Sequence, residues 1–237
     1  FLQQCYNIAD TLIVGQCIGA GALAAVGSAY TLMVFLISVL LGLAMGSGTV
    51  FSLHYGAGNH VALRRSIFSS FVLIGIVTLI LNVAVFIWLD PILRLLQVPQ
   101  DIYGMMRSYL WIIFCGIVFT FIYNFYASLL RAVGDSVTPL WFLAVSVVLN
   151  IALDLFFILQ LDWGIQGAAA ATVLAQGVAA LGIIIYTYRR RPELRWHHED
   201  MCFDRTCLKE IASFSTLTCI QQSVMNLGIL MVQGLVN

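Results

Sequence analysis

Two carboxylates stand inside otherwise apolar stretches long enough to cross a bilayer. One is Asp10; the other is Asp154, in the run Asn150-Ile151-Ala152-Leu153-Asp154. A charge at the bilayer centre costs roughly 2.5–3.5 kcal/mol on insertion scales, so acids in such positions concentrate where ions or protons move. Asn150 precedes Asp154 by one helical turn and shares its helix face. If the chain turns back near Asp162, Asp154 lies eight residues before the turn and Thr172 ten after it, which sets the two at similar depth. Asp10 lies nine residues before Gly19, where its own segment meets the same side. With about 1.5 Å of rise per residue, the four groups converge about 12–18 Å below that side. Two carboxylates, an amide oxygen and a hydroxyl are the donors that small hard cations prefer. The same set handles a proton, because two neighbouring buried carboxylates cannot both ionise cheaply. A single membrane aspartate can be structural, bonded to a neighbouring hydroxyl, and Asn150 alone could equally be helix glue. Two acids with an amide and a hydroxyl at one depth fit a cation site better.

The elements that position these residues follow from composition. The chain is 61% hydrophobic and 9% charged, against about 25% charged in ordinary soluble domains. That composition leaves no basic surface for nucleic acid and predicts an integral membrane protein. About 20 apolar residues cross a bilayer as a helix. Runs nearly free of charge predict seven spans: 1–19, 22–54, 64–89, 103–131, 139–160, 164–189 and 207–237. No run alternates apolar and polar residues as a barrel strand would. The expected fold is therefore all-α, a polytopic membrane helical bundle. Pro139 opens span five, where its missing N–H costs nothing. The six cysteines show no disulfide spacing and read as free thiols. The chain starts at Phe1 without an initiator methionine and ends at Asn237 inside an apolar run, which reads as a piece of a longer protein.

Basic residues give the orientation. Arg64, Arg65, Arg131, Arg189, Arg190, Arg191, Arg195, Arg205 and Lys209 flank connections after even-numbered spans, and only Arg94 and Arg107 lie on the other side. The positive-inside rule then puts the even-numbered connections in the cytoplasm, in a multi-pass protein of the plasma membrane. Residues 189–210 hold half of all charged side chains. They divide the chain into a six-helix lobe (1–190, first helix incomplete), a cytoplasmic linker (191–206) and a seventh helix (207–237, incomplete). Leu2-Gln3-Gln4 returns as Ile220-Gln221-Gln222, and at the same offset of 218 Leu12 pairs with Leu230 and Val14 with Val232. This suggests a parallel internal duplication, with the seventh helix opening a second lobe. The Gly42-Leu43-Ala44-Met45-Gly46 stripe and the ladder Gly167, Ala171, Ala175, Ala179 read as surfaces where helix backbones approach closely. Arg131 and Asp135 around Gly134 read as turn chemistry, and His54 as interfacial. His197, His198, Cys202 and Cys207 read as part of a solvated loop, since their spacing fits no metal pattern.

Taken in order, these motifs resemble the N-terminal lobe of the multidrug and toxic compound extrusion (MATE) family. They are Asp10-Thr11-Leu12-Ile13-Val14-Gly15, then Gly19-Ala20-Gly21-Ala22-Leu23-Ala24-Ala25-Val26-Gly27, then Arg131-Ala132-Val133-Gly134-Asp135 with Pro139. Asn150 with Asp154 follows, and then Gly164-Ile165-Gln166-Gly167-Ala168-Ala169-Ala170-Ala171-Thr172. The resemblance covers essentially the whole chain. It implies two six-helix lobes and antiport of organic, cationic or amphipathic compounds against sodium ions or protons, with no cofactor and no enzymatic activity. It maps the cation site, a sodium site if sodium is the coupling ion, onto Asp10, Asn150, Asp154 and Thr172. It also places Gln3 and Tyr6, on the face of Asp10, along the lobe's substrate cavity, with Asn124 as a further candidate. Two departures stand out in span seven. No carboxylate follows Glu210, and Leu217 and Cys219 replace the Pro and Gly that often bend this helix.

Two other functions compete. A lipid-linked saccharide flippase of the same superfamily would be expected to carry deep cationic residues, and no Arg or Lys lies deep in these spans. An intramembrane aspartyl protease would share one proton between two acids. Its Tyr-Asp and Gly-x-Gly-Asp contexts are missing, since the acids here follow Ala9 and Leu153.

Overall fold

The computed structural model describes residues 11–95, 98–195 and 205–236. Residues 11–17 form α1, followed by α2 (Ala20–Gly56), α3 (His60–Leu95), α4 (Gln100–Cys115) and α5 (Ile117–Ala132). Next come α6 (Val137–Leu155), α7 (Gly164–Arg190) and α8 (Arg205–Val236). No strand occurs among the described residues. Among the described residues, four helices are long and apolar enough to cross a membrane: α2, α3, α6 with its continuation to Gln160, and α7; a fifth span results if α4 and α5 count together. Their outward residues, among them Leu79, Ile87, Trp141 and Val148, are large and apolar, as a hydrocarbon surround requires.

Two predicted spans differ in detail. Span four breaks at Gly116 and bends by 46°. Span five ends in a π-helical turn, Phe156–Gln160, immediately after the turn that carries Asp154. Asp162 (φ 52°) and Gly164 (φ 54°) then reverse the chain in the left-handed region, which Asp and Gly tolerate best. Span seven, α8, runs as one helix of 32 residues, in keeping with the loss of its bending residues.

The described chain divides into two compact units. One falls within Phe1–Leu32, Leu79–Thr120 and Leu140–Gly182; the other falls within Met33–Thr78, Phe121–Pro139 and Ile183–Asn237. In the first, α7 buries the small face Ala168, Ala171, Ala175 and Ala179, and α4 buries Met106, Tyr109, Leu110, Ile113 and Phe114. In the second, Phe125 is the hub of an aromatic core, its ring centroid 5.9 Å from that of Phe51 and 5.2 Å from that of Phe71, both edge-on.

The second unit also holds the predicted Gly42–Gly46 stripe, and α8 lies against it. A Cβ on Gly46 would meet the Ser215 backbone at 2.4 Å, and one on Gly42 the Cys219 backbone at 2.7 Å. Ser215 and Cys219 are themselves small and one turn apart, so the two helices meet backbone to backbone. The Ser215 hydroxyl donates to Leu43 O (3.4 Å), and His54 Nε2 lies 3.8 Å from Glu210 at the end of the same seam.

Two interhelical turns in this unit are built alike. Gly58 (φ 68°) and Gly134 (φ 88°) close α2 and α5 in the left-handed conformation. In each, the next residue's N–H returns to a helix carbonyl: Asn59 to His54 (3.0 Å) and Asp135 to Leu130 (2.9 Å). The same Asn or Asp then caps the following helix. Asn59 Oδ1 accepts the Ala62 N–H at 3.0 Å, and Asp135 Oδ1 accepts the Thr138 N–H at 3.1 Å. The Asp135 carboxylate also accepts from the Thr138 hydroxyl (2.9 Å) and lies 3.7 Å from the Arg191 guanidinium. Arg191 opens the predicted linker, whose first residues form the single turn Pro192–Leu194 with Leu194 buried.

Gly46→Leu is expected to push α8 off α2 and lower the thermal midpoint of the purified protein, by the equivalent of about 1–3 kcal/mol of overpacking. Gly27→Ala is the matched control, a helical position with open space around the missing Cβ, and should keep or raise the midpoint. Equal midpoints for Gly46→Leu and the parent would contradict the close seam. Burial pushes the Asp135 carboxyl up, but the Thr138 N–H and hydroxyl, the Arg191 charge and the Tyr186 hydroxyl outweigh it and hold the group below its ordinary value. Its stabilisation is therefore complete above the ordinary value of about 3.9 and is lost as pH falls through the lower folded value. Thermal midpoints followed into that acid range should fall less steeply in Asp135→Asn than in the parent.

Candidate functional site

The site lies where α6 and α7 face each other in the first unit. Asn150 and Asp154 have no exposed surface, and Thr172 is 5% exposed. The Asn150 amide donates to Thr172 Oγ1 at 3.4 Å, long for a hydrogen bond but joining the two helices at the depth read from the turn. Among the described residues, Asn150 Oδ1 is buried without a hydrogen-bond partner. A buried oxygen of this kind is a costly atom to leave unpaired and a ready acceptor for a cation or a protonated donor.

Local sequence explains the placement. Between Val137 and Leu155 the helix α6 is apolar apart from Thr138, Ser146, Asn150 and Asp154, so its polar groups can satisfy one another only on one face. On α7 the small residues around Thr172 are fully buried: Ala168, Ala169, Ala171 and Ala175. That alanine face lets the partner helix approach. The π turn after Leu155 widens the helix at the mouth of this group, where Phe157 stacks on Trp163 with centroids 5.3 Å apart.

The structure brings together Asn150 and Thr172 and buries Asp154 one turn from Asn150 on the same helix. Gln3, Tyr6 and Asp10 lie outside the described residues, as do His197, His198 and Cys202. Asn124 is half-buried on α5, in the other unit. Among the described residues no three His, Cys, Asp or Glu side chains cluster as a soft or borderline metal would require.

Sequence reasoning passed over three polar residues in this unit. Asn82, on α3, donates to Phe114 O at 2.6 Å, a carbonyl in the last turn of α4 just before the break in span four. Thr120, just after the break, donates its hydroxyl to Gln176 Oε1. Gln176 is one turn from Thr172 on α7, so the polar face of that helix extends past the site. The signal was available in Leu79-Ile80-Leu81-Asn82-Val83 and in the alanine-rich run around Gln176, where a lone amide in apolar sequence marks a helix contact.

The family model described as MatE matches residues 1–156. The probable multidrug resistance protein YpnP of Bacillus subtilis (strain 168) is 36% identical over 190 residues, which is 80% of this chain and 43% of that protein. The probable multidrug resistance protein NorM of Thermotoga maritima is 28% identical over 235 residues, 97% of this chain and 50% of that one. The outward-facing structure of a multidrug resistance MATE family transporter of the MOP superfamily has the same fold, with a TM-score of 0.89 at 24% identity, covering 97% of this chain and 51% of the other. The chain thus spans about half the length of the proteins it matches.

Thr172→Val keeps the shape of the side chain but strands the Asn150 amide in an apolar interior. It is expected to lower the thermal midpoint by the equivalent of about 1–3 kcal/mol, and Thr172→Ser to restore most of that. Identical midpoints for the valine and serine variants would show that the hydroxyl bonds nothing of consequence.

Proposed function

The chain belongs to the MatE family, and we propose that it forms the first lobe, with the linker and the first helix of a second, of a secondary exporter of small organic compounds. The exporter runs on sodium ions or protons taken up at Asp10, Asn150, Asp154 and Thr172. The observation that carries this reading is the complete burial of Asp154 and Asn150 between two largely apolar helices, against a face of α7 built of buried alanines. An acid there is costly unless its charge is neutralised in the working cycle, by a proton or by a cation held among oxygen donors.

In the outward-open state the lobe takes the coupling ion from outside. Neutralising the acids removes the charge that keeps the cavity wet, span one reorganises, the cavity beside Gln3 and Tyr6 closes, and the organic substrate leaves to the outside. The inward-facing state, reached by rocking the two lobes about a central cavity, returns the ion to the cytoplasm. The positive-inside rule supports this direction, with the turns at Gly58 and Gly134 and the linker on the cytoplasmic side of the plasma membrane. Substrates are cationic or amphipathic, because a mostly apolar cavity with few polar handles selects by size and charge more than by hydrogen bonding. The relatives' names, probable multidrug resistance proteins in two organisms, support the export of more than one organic compound.

The test is efflux of a fluorescent organic cation from proteoliposomes of the full-length protein, with sodium and pH gradients imposed separately. Gradient-driven flux is expected, under the gradient of the coupling ion, and is expected to vanish in Asp154→Asn. Flux that survives Asp154→Asn would remove the coupling role from this lobe, and the absence of flux under both gradients would remove the exporter reading.

A further inference from the structure

We infer that Gly116, at the break in span four, is a positioning residue for the cation site. Its missing side chain lets α7 come close enough to set Thr172 against Asn150. The inference rests on the cation reading above and adds to it a residue that touches none of the proposed ligands.

Space, not backbone conformation, explains the glycine. Gly116 has φ −87° and ψ −4°, values open to any residue. A Cβ there would lie 2.4 and 2.7 Å from the two γ-methyls of Val173 and 3.0 Å from its Cβ, well inside contact distance. Valine is stiff at χ1, so its methyls cannot swing clear. The collision would have to move α7 or span four. Val173 directly follows Thr172, whose bond to Asn150 is already 3.4 Å long, so a displacement of a few tenths of an ångström breaks it.

The neighbouring contacts hold this approach from both sides. At the break, Asn82 reaches from α3 to bond Phe114 O, one of the last carbonyls of α4. One turn further on, the Phe119 ring lies 3.7 Å from the Cβ position of Gly177, and Thr120 bonds Gln176. Val173 is thus clamped between the break and this second contact, and α7 has little freedom to yield. The bend in span four and the seat of Thr172 are one packing arrangement.

The experiment uses the full-length protein in proteoliposomes and measures substrate flux against the concentration of the coupling ion, separating apparent ion affinity from maximal rate. Gly116→Ala is expected to weaken apparent ion affinity by about tenfold, the worth of one hydrogen bond, with the maximal rate kept at saturating ion. Adding Val173→Ala to that variant should restore the affinity. Unchanged affinity in Gly116→Ala, or a loss that Val173→Ala does not repair, would overturn the inference. If Gly116→Ala does not fold, Asn82→Leu decides, since it releases the break without adding bulk against Val173. Weakened ion affinity then supports the positioning role, and unchanged affinity overturns it. Asp154→Asn run alongside separates the two levels: if it leaves ion dependence intact, the cation site itself is misplaced; if it abolishes ion dependence, the Gly116 result stands on its own.

Discussion

A carboxyl group and a carboxamide with no exposed surface, one turn apart on a membrane helix, constrain every element around them. In hydrocarbon a polar group has no water to fall back on, so Asp154 and Asn150 oblige a neighbouring helix to bring donors and acceptors to their depth. That neighbour is α7, which presents Thr172 from within a run of alanines and comes close because those alanines have almost no side chain. The π turn, the reversal at Asp162 and Gly164, and the broken span beside Val173 all serve the same approach. On the proposed reading a monovalent ion or a proton completes this group, and its arrival and departure drive the cycle.

Close approach is the recurring device of the fold. Hydrophobic burial cannot sort helices from one another where the surroundings are as apolar as the side chains, so backbone contact and hydrogen bonds do the sorting. Gly42 and Gly46 receive Cys219 and Ser215, Gly116 receives Val173, and Gly182 leaves room for Phe142. Beside the break in span four, a side chain from another helix adds a bond to the helix end, as Asn82 does at Phe114 O. The paired turns at Gly58-Asn59 and Gly134-Asp135 apply the same economy outside the spans, each using one left-handed glycine and one capping side chain to stop a helix and start the next.

Much of this was legible in the sequence, for reasons that differ by element. The limits of α2 and α7 followed from charge and length, because a bilayer imposes both on any helix that crosses it; α3 instead runs past both predicted ends, through Arg64 and Arg65 at one and Asp90 and Arg94 at the other. Counting residues from the hairpin turn set Thr172 level with Asp154 and one turn from Asn150; that Asn150 is the one it bonds is seen only in the packed helices. The Gly42–Gly46 stripe announced a close contact but not its partner, since Ser215-x-x-x-Cys219 lies far away in sequence and only the packed structure joins the two. The break in span four was not legible. Cys115-Gly116-Ile117 carries no proline, and its glycine has an unremarkable φ; what the sequence does not show is Val173 of another helix packed against it. Asn82 and Gln176, amides in apolar runs, were passed over, and what they bond is set by helices distant in sequence.

The central claim, that the buried group around Asp154 takes up the coupling ion, can be tested without transport. Infrared difference spectra of the full-length protein, recorded on changing pH and separately on changing sodium concentration, report the protonation and ligation of buried carboxyl groups. The account predicts a carboxyl band that responds to at least one of the two ions and is missing from Asp154→Asn. Difference spectra of the parent and Asp154→Asn that superimpose under both changes would contradict it.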